Sequence, residues 1–216
     1  FNLFAYSISL RTFISLVGLA VALLTVYPSS STPSPFSEPI LFPGDSTVAI
    51  AAGSQTRPQI SKGGNGYLAV WQDNRTSFRQ GEVCGPITLS GLGSSADIYA
   101  SRLDNNGHLI DAKPIIVSRS QYCQLSPSVA WNGQYWLVAW STQTVPNEVG
   151  NYTGIIEAIR VSPAGEILDS TPIRLGTSFY QYQTLSITSD GTNWVVTWGG
   201  SDYGSGNQIL AARVTP

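Results

Sequence analysis

Three stretches of the chain carry one pattern of apolar and polar positions: "GNGYLAVW" (64–71), "GQYWLVAW" (133–140) and "GTNWVVTW" (191–198). Each reads Gly, two residues, an aromatic, three small, aliphatic or β-branched residues, then Trp. Successive side chains of a strand point to opposite faces. Tyr67, Ala69 and Trp71 therefore share one face, and Leu68 and Val70 the other. The same holds for Trp136, Val138 and Trp140, and for Trp194, Val196 and Trp198. Both faces are apolar, as a sheet packed between neighbouring sheets requires.

A second element recurs downstream: "IYASRL" (98–103), "IEAIRV" (156–161) and "ILAARV" (209–214). Gly107 and Gly165 follow the first two, then Asp111 and Asp169, then Pro114 and Pro172. Upstream, Pro58 and Pro127 precede the first glycine of their units, with Leu185 at that place in the third. "WNG" (131–133) and "SDG" (189–191) read as two-residue hairpin turns. "DNNG" (104–107) and "SPAG" (162–165) read as turns whose glycine takes positive φ. Each unit is thus four short strands, in the second unit 127–131, 135–141, 155–162 and 166–175. The units run over about 55–117, 124–175 and 182–216.

Repeated four-stranded units of this length are the mark of β-propeller blades. The fold class expected is all-β, a β-propeller-type repeat of antiparallel blades with about three blades present and an incomplete ring. "STVAIAA" (46–52) aligns with the fourth strands "PIIVS" and "PIRLG", so the first blade is preceded by an orphan fourth strand and the last unit stops after its third. Over residues 48–216 the chain resembles secreted β-propeller repeat proteins, the kelch-like and sialidase-like group in the broad sense. The resemblance rests on the repeat alone. The sialidase Asp-box spacing fails at Asp190-Gly191, the kelch Gly-Gly pair is not at a constant place, and the Trp-Asp pair of WD40 repeats is missing.

The repeated residues Trp71, Trp140, Trp198, Arg102, Arg160 and Arg213 are read as structural. Alanines in the third strands, Ala100, Ala158 and Ala211, leave room for the large rings. A charge between blades needs a partner. If Trp71 pairs across the hairpin with Ile98, Tyr67 falls opposite Arg102, Trp136 opposite Arg160 and Trp194 opposite Arg213. Each guanidinium would then stack on an aromatic ring.

Composition agrees with this reading. Only 11% of the 216 residues are charged, against 21 Gly, 13 Pro, 6 Trp and 10 Tyr. Aromatics and turn formers suit pleated sheets. A net charge of −2 with 11 thinly spread Lys and Arg gives no footprint for nucleic acid. At the N-terminus, Arg11 precedes an apolar run from Thr12 to Val26, followed by Pro28 and serines. The run is shorter than the ~20 residues of a membrane span and suits a signal core. Residues 1–28 therefore read as a signal peptide or an uncleaved membrane anchor, and 29–45 as a Ser/Pro-rich linker. The chain lacks Met and opens on Phe1, which suggests a fragment or processed product. Export to the cell surface or medium is expected.

Candidate chemistry is sparse. Cys84 and Cys123 are the only cysteines. They fall on connections that emerge on one face of a propeller, and an exported chain permits a disulfide between them. His108, the only histidine, follows a turn glycine and reads as a solvated turn residue. No metal cluster or cofactor site is expected. Asn74-Arg-Thr76 and Asn151-Tyr-Thr153 match the N-glycosylation pattern. Function is expected in the loops 72–97, 141–154 and 199–208, which share one face. The candidate ligand-binding residues there are Asp73, Arg75, Phe78, Arg79, Glu82, Glu148, Tyr152, Asp202 and Tyr203.

Three functions fit. The first is an exported non-enzymatic binding or scaffold module taking a protein or glycan on its loop face. The second is part of a propeller enzyme acting on carbohydrate, a glycosidase or lyase. The third is a self-associating surface protein. The first strands begin "RPQI", "SPSV" and "TLSI" and offer no paired carboxylates, which favours binding over hydrolysis.

Overall fold

The computed structural model describes residues 54–75, 96–120, 122–143, 154–178, 184–202 and 206–216. Among them are eleven strands and no helix: β1 (Gln55–Gly63), β2 (Gly66–Asp73), β3 (Asp97–Asp104), β4 (Ile115–Ser118), β5 (Cys123–Trp131), β6 (Trp136–Gln143), β7 (Gly154–Val161), β8 (Ile173–Ser178), β9 (Leu185–Ser189), β10 (Trp194–Asp202) and β11 (Gly206–Val214). They form two four-stranded sheets, β1-β2-β3-β4 and β5-β6-β7-β8, and a three-stranded sheet, β9-β10-β11. Every pairing is antiparallel. The tryptophan-bearing strands β2, β6 and β10 are each the second strand of a separate sheet, as the repeat pattern requires. First strands neighbour one another, with β5 packed against both β1 and β9. This is the order of blades in a partial propeller.

The joints between sheets explain the repeat. One core holds Leu68, Val70, Ile98 and Ala100 of the first sheet against Trp136, Val138 and Trp140 of the second. The other holds Leu137, Ala139, Ile156 and Ala158 of the second sheet against Trp194, Val196 and Trp198 of the third. The rings of one blade fill the space over the third-strand alanine of the blade before it. Trp140 and Trp194 are wholly buried. Trp140 Nε1 donates to Thr142 Oγ1 at 2.9 Å, and Trp194 Nε1 to the Ala130 carbonyl at 3.0 Å. At Gly63 the approach is so close that a Cβ would lie 2.4 Å from the Trp131 ring.

The structure corrects several details of the sequence reading. The register of the second and third strands is shifted by one residue. Trp71 pairs with Tyr99, not Ile98, and Leu68, Leu137 and Val195 stand opposite Arg102, Arg160 and Arg213. A slip of one residue turns each side chain to the other face, so the arginines do not stack on Tyr67, Trp136 and Trp194. Arg102 instead forks onto Asp111, with Nε 3.0 Å and Nη2 2.5 Å from Oδ1. Arg160 does the same with Asp169, at 3.0 and 2.6 Å. The other carboxylate oxygen accepts the arginine's own backbone N–H, at 2.6 and 2.7 Å. The recurrent Asp nine residues after the recurrent Arg is therefore its partner. Arg102 Nη1 also donates to the Pro163 carbonyl at 3.2 Å, reaching the turn of the next blade.

Two turns differ too. The β5–β6 and β9–β10 connections span 132–135 and 190–193 rather than two residues. Asn132 Oδ1 accepts from the N–H groups of Gln134 and Tyr135, at 3.0 and 2.8 Å. Asp190 Oδ1 accepts from Thr192 and Asn193, at 2.9 and 2.7 Å. A side-chain cap of this kind replaces the tight turn. The fourth strand of the second unit, expected over 166–175, is instead a single bridge between Val161 and Ile167 followed by β8. The third connection, expected over 199–208, is mostly strand, since β10 runs to Asp202 and β11 starts at Gly206. Segments 1–45 and 46–52 lie outside the described residues.

Replacing Trp140 with Ala should cost about 3–5 kcal/mol, the range for a buried large-to-small change, read as a shift in urea midpoint at constant slope. A loss under about 1 kcal/mol would show that the joint does not depend on the ring. Asp169 has its carboxyl held below the usual range: burial pushes it up, but the hydrogen bonds and charge of Arg160 outweigh that. A depressed carboxylate stabilises the fold above its unfolded pKa of about 3.9 and loses that contribution as pH falls through the folded value. Asp169→Asn should therefore flatten the fall in stability below about pH 4. Identical slopes for variant and wild type in that window would refute the role of this pair.

Candidate functional site on the loop face

The ends of β1 and β5 that lie beside the long connections are irregular. Gln55 pairs with Asp73, just before the 74–96 connection, and Cys123 pairs with Gln143, just before 144–153. Both first strands bulge there, between Thr56 and Gln59 and between Leu125 and Ser128. In each bulge the residue before the repeated proline has positive φ, Arg57 at 54° and Ser126 at 54°. That region is unfavourable for residues other than glycine and costs of order 1–3 kcal/mol. The two strained residues meet: Arg57 Nη1 donates to Ser126 Oγ at 2.8 Å. Ser126 N in turn donates to Gln72 Oε1 at 3.3 Å. Arg57 is exposed and Ser126 buried. Together they place a solvated guanidinium at the loop ends of adjacent first strands.

Beside this point is a buried polar group in the first blade. Asp73 and Arg75 form an ion pair, and the Arg75 N–H donates to Asp73 Oδ1 at 2.9 Å. Trp71 Nε1 donates to Asp73 Oδ2 at 3.0 Å. The Arg75 guanidinium lies 4.8 Å from the centre of the Tyr99 ring, which stacks on Trp71. Asp97, directly across from Asp73, is wholly buried, and Arg119 Nε is 3.9 Å from its carboxylate. Burial pushes the Asp73 carboxyl up, but hydrogen bonds from Arg75 and Trp71 win and lower it. Burial raises the Tyr99 hydroxyl, and the Asp97 charge adds to that. This cluster fixes both roots of the 74–96 connection.

Of the expected ligand-binding residues, Asp73 and Arg75 are thus brought together, buried and turned to each other. Asp202 ends β10, while Phe78, Arg79, Glu82, Glu148, Tyr152 and Tyr203 lie outside the described residues. Cys123 is wholly buried with Ala96 and Leu125, and its sulfur is not free. Its expected partner, Cys84, lies outside the described residues. Asn74 pairs with Ser54, donating its N–H to the Ser54 carbonyl at 3.2 Å and accepting from the Ser54 N–H on Oδ1. Thr76 and the second sequon lie outside the described residues. His108 is exposed in its turn, 3.2 Å from Asp104. The Asp104 carboxylate is held low, first by the His108 backbone N–H. Among the described residues no three metal-ligating side chains cluster, and no helix is long and apolar enough to cross a membrane.

Arg57 was not among the residues singled out in the sequence. Arg-Pro and Ser-Pro at one repeat position, in place of the glycine or asparagine that usually marks positive φ, are the only trace of the bulges.

No family model matches the chain, and neither does any curated protein. Among solved structures it is similar to the subtype N10 neuraminidase-like protein of A/little yellow-shouldered bat/Guatemala/060/2010, at 11% identity and a TM-score of 0.41, over 76% of this chain and 41% of that one. It is similar too to a neuraminidase-like protein from A/bat/Guatemala/164/2009, at 9% identity and a TM-score of 0.42, over 74% and 38%. The chain thus spans about two fifths of the length of these structures. Likeness this loose says nothing about what the chain does.

A Cys84–Cys123 bond predicts one cross-linked peptide in a non-reducing digest of the full chain. Two thiols titrating in denaturant would exclude it.

Proposed function

We propose that this chain is an exported propeller-type module that binds a protein or glycan on the face where its second and third strands are joined. The carrying observation is the pair of strained bulges at Arg57 and Ser126. Strain at equivalent positions of adjacent first strands persists only where the surroundings hold it, and such strain gathers at ligand sites. Here it presents one exposed cation, Arg57, whose hydrogen bond to Ser126 leaves the rest of its fork of donors to solvent. An acidic sugar or an acidic protein loop matches that chemistry. The buried Asp73–Arg75 pair supports the reading by fixing the roots of the longest connection on this face. Export is supported by the sequence from Arg11 to Pro28.

Glycan arrays containing matched neutral and acidic sugars, probed with the full chain, test this proposal. Binding should favour the acidic members, and Arg57→Ala should weaken it about tenfold or more, the worth of one charge-assisted hydrogen bond. Equal retention by Arg57→Ala and wild type would reject the assignment of Arg57. Turnover of chromogenic glycosides by the wild type would replace this reading with the carbohydrate-active enzyme.

A further inference from the structure

Arg57 and Ser126, both with φ at 54°, are the positive-φ residues other than glycine among those described. Each stands before a proline, which narrows the conformations open to the residue ahead of it. The blade repeat does not demand this strain. The third blade has Leu185 in place of Pro58 and Pro127, and Leu185 pairs with Trp198 in regular register and enters the core. Nor does the backbone demand these residue types, because glycine takes such a φ at no steric penalty. At both positions the residue present adds to glycine the group that meets the other. The Arg57 guanidinium donates through Nη1 to Ser126 Oγ at 2.8 Å.

The bulges make that meeting possible. Between the pairs Thr56–Gln72 and Gln59–Val70, two residues of β1 stand against one of β2. Between Leu125–Ser141 and Ser128–Ala139, two residues of β5 stand against one of β6. A bulge takes its extra residue out of the ladder and re-aims the side chain. The prolines carry no N–H and so leave no donor unpaired there. Ser126 keeps its own N–H satisfied across the joint, donating to Gln72 Oε1 at 3.3 Å. Ser126 of the second blade is thus bonded to β1 through its hydroxyl and to β2 through its backbone.

The two partners differ in freedom. Ser126 is 7% exposed and held at its backbone, so its Oγ is a fixed acceptor. Arg57 is a long, exposed side chain, and such a side chain loses rotamer freedom when a ligand immobilises it. A hydrogen bond to a fixed acceptor removes part of that loss before any ligand arrives.

We infer that Ser126 is the positioning residue of Arg57: the fold keeps it strained, at a cost in stability, so that its hydroxyl holds the guanidinium in one orientation. This rests on the reading of Arg57 as a ligand contact. Ser126 itself need not touch the ligand.

Unfolding, side-chain NMR and binding measured on the full chain test the inference. Ser126→Gly and Ser126→Ala both remove the hydroxyl, but only glycine relieves the strain. Ser126→Gly should therefore have the higher urea midpoint of the two, at equal slope. In wild type the two Nη groups of Arg57 should give separate signals, because the bond to Ser126 hinders their rotation, and in both variants the signals should merge. Binding to the acidic members of a glycan array should fall about threefold to tenfold in Ser126→Gly, the cost of ordering one long side chain. In an Arg57→Ala background the same substitution should cause no further loss, since residues that act through one another are not additive. A glycine variant no more stable than the alanine variant overturns the inference, as do Arg57 signals unchanged by either substitution. Equal losses of binding in the two backgrounds overturn it as well, because Ser126 would then act apart from Arg57. A wild type that retains no acidic glycan, or an Arg57→Ala variant that binds as wild type does, rejects instead the reading of Arg57 as a ligand contact, and the midpoints and Arg57 signals still decide whether Ser126 holds it.

Discussion

Each joint in this fold rests on large rings laid over a small residue. Trp136 and Trp140 pack over Ala100, and Trp194 and Trp198 over Ala158. A ring of this size needs a neighbour that gives way, because interiors are packed as densely as organic crystals. The alanines cannot grow, and the rings cannot shrink without leaving a cavity. β6 and β10 therefore turn their rings to the blade before, and β2 and β6 turn their other face to the blade after. A blade between two others buries both of its faces, which is what stacks these sheets in a row.

The same constraint explains where the charges go. In the first two blades the repeated arginine stands at the rim of the joint, on the side where the strands turn. There it forks onto an aspartate that also caps the arginine's own backbone. A carboxylate held in this way closes the turn and neutralises the guanidinium in one contact. In the first blade the guanidinium has a donor left over for the carbonyl of Pro163. The rings hold the inside of the joint, and the ion pair holds its edge.

Strand number, strand order and the identity of the core rings were legible in the sequence, because a period of two and a threefold repeat are written in residue types. Register was not. Arg and Asp recur nine residues apart, yet hairpin pairing was inferred from rings alone, and a slip of one position turned the arginines to the wrong face. The Arg102–Asp111 and Arg160–Asp169 pairs show instead where the arginines turn. The caps at Asn132 and Asp190 were read as tight turns for a similar reason: Asn-Gly and Asp-Gly suit both, and the choice depends on where the flanking strands begin. Arg57 left almost no trace, because positive φ at a residue other than glycine is imposed by its neighbours rather than by its own type.

On the loop face, order is built in layers outward from the strands. Trp71 and Tyr99 belong to the blade, and they carry Asp73, the last paired residue of β2, and Arg75, two residues beyond it. A charge pair this deeply buried contributes little to net stability compared with apolar groups of the same shape. Its value is directional: Asp73 accepts from the Arg75 backbone, the Arg75 side chain and the Trp71 indole, so the chain can leave β2 in one direction only. Next to it, the strained turn at Arg57 points a cation outward in a fixed orientation. The blade therefore sets the start of its longest connection and the position of its exposed guanidinium with the same few residues. A ligand meeting this face would find both already in place.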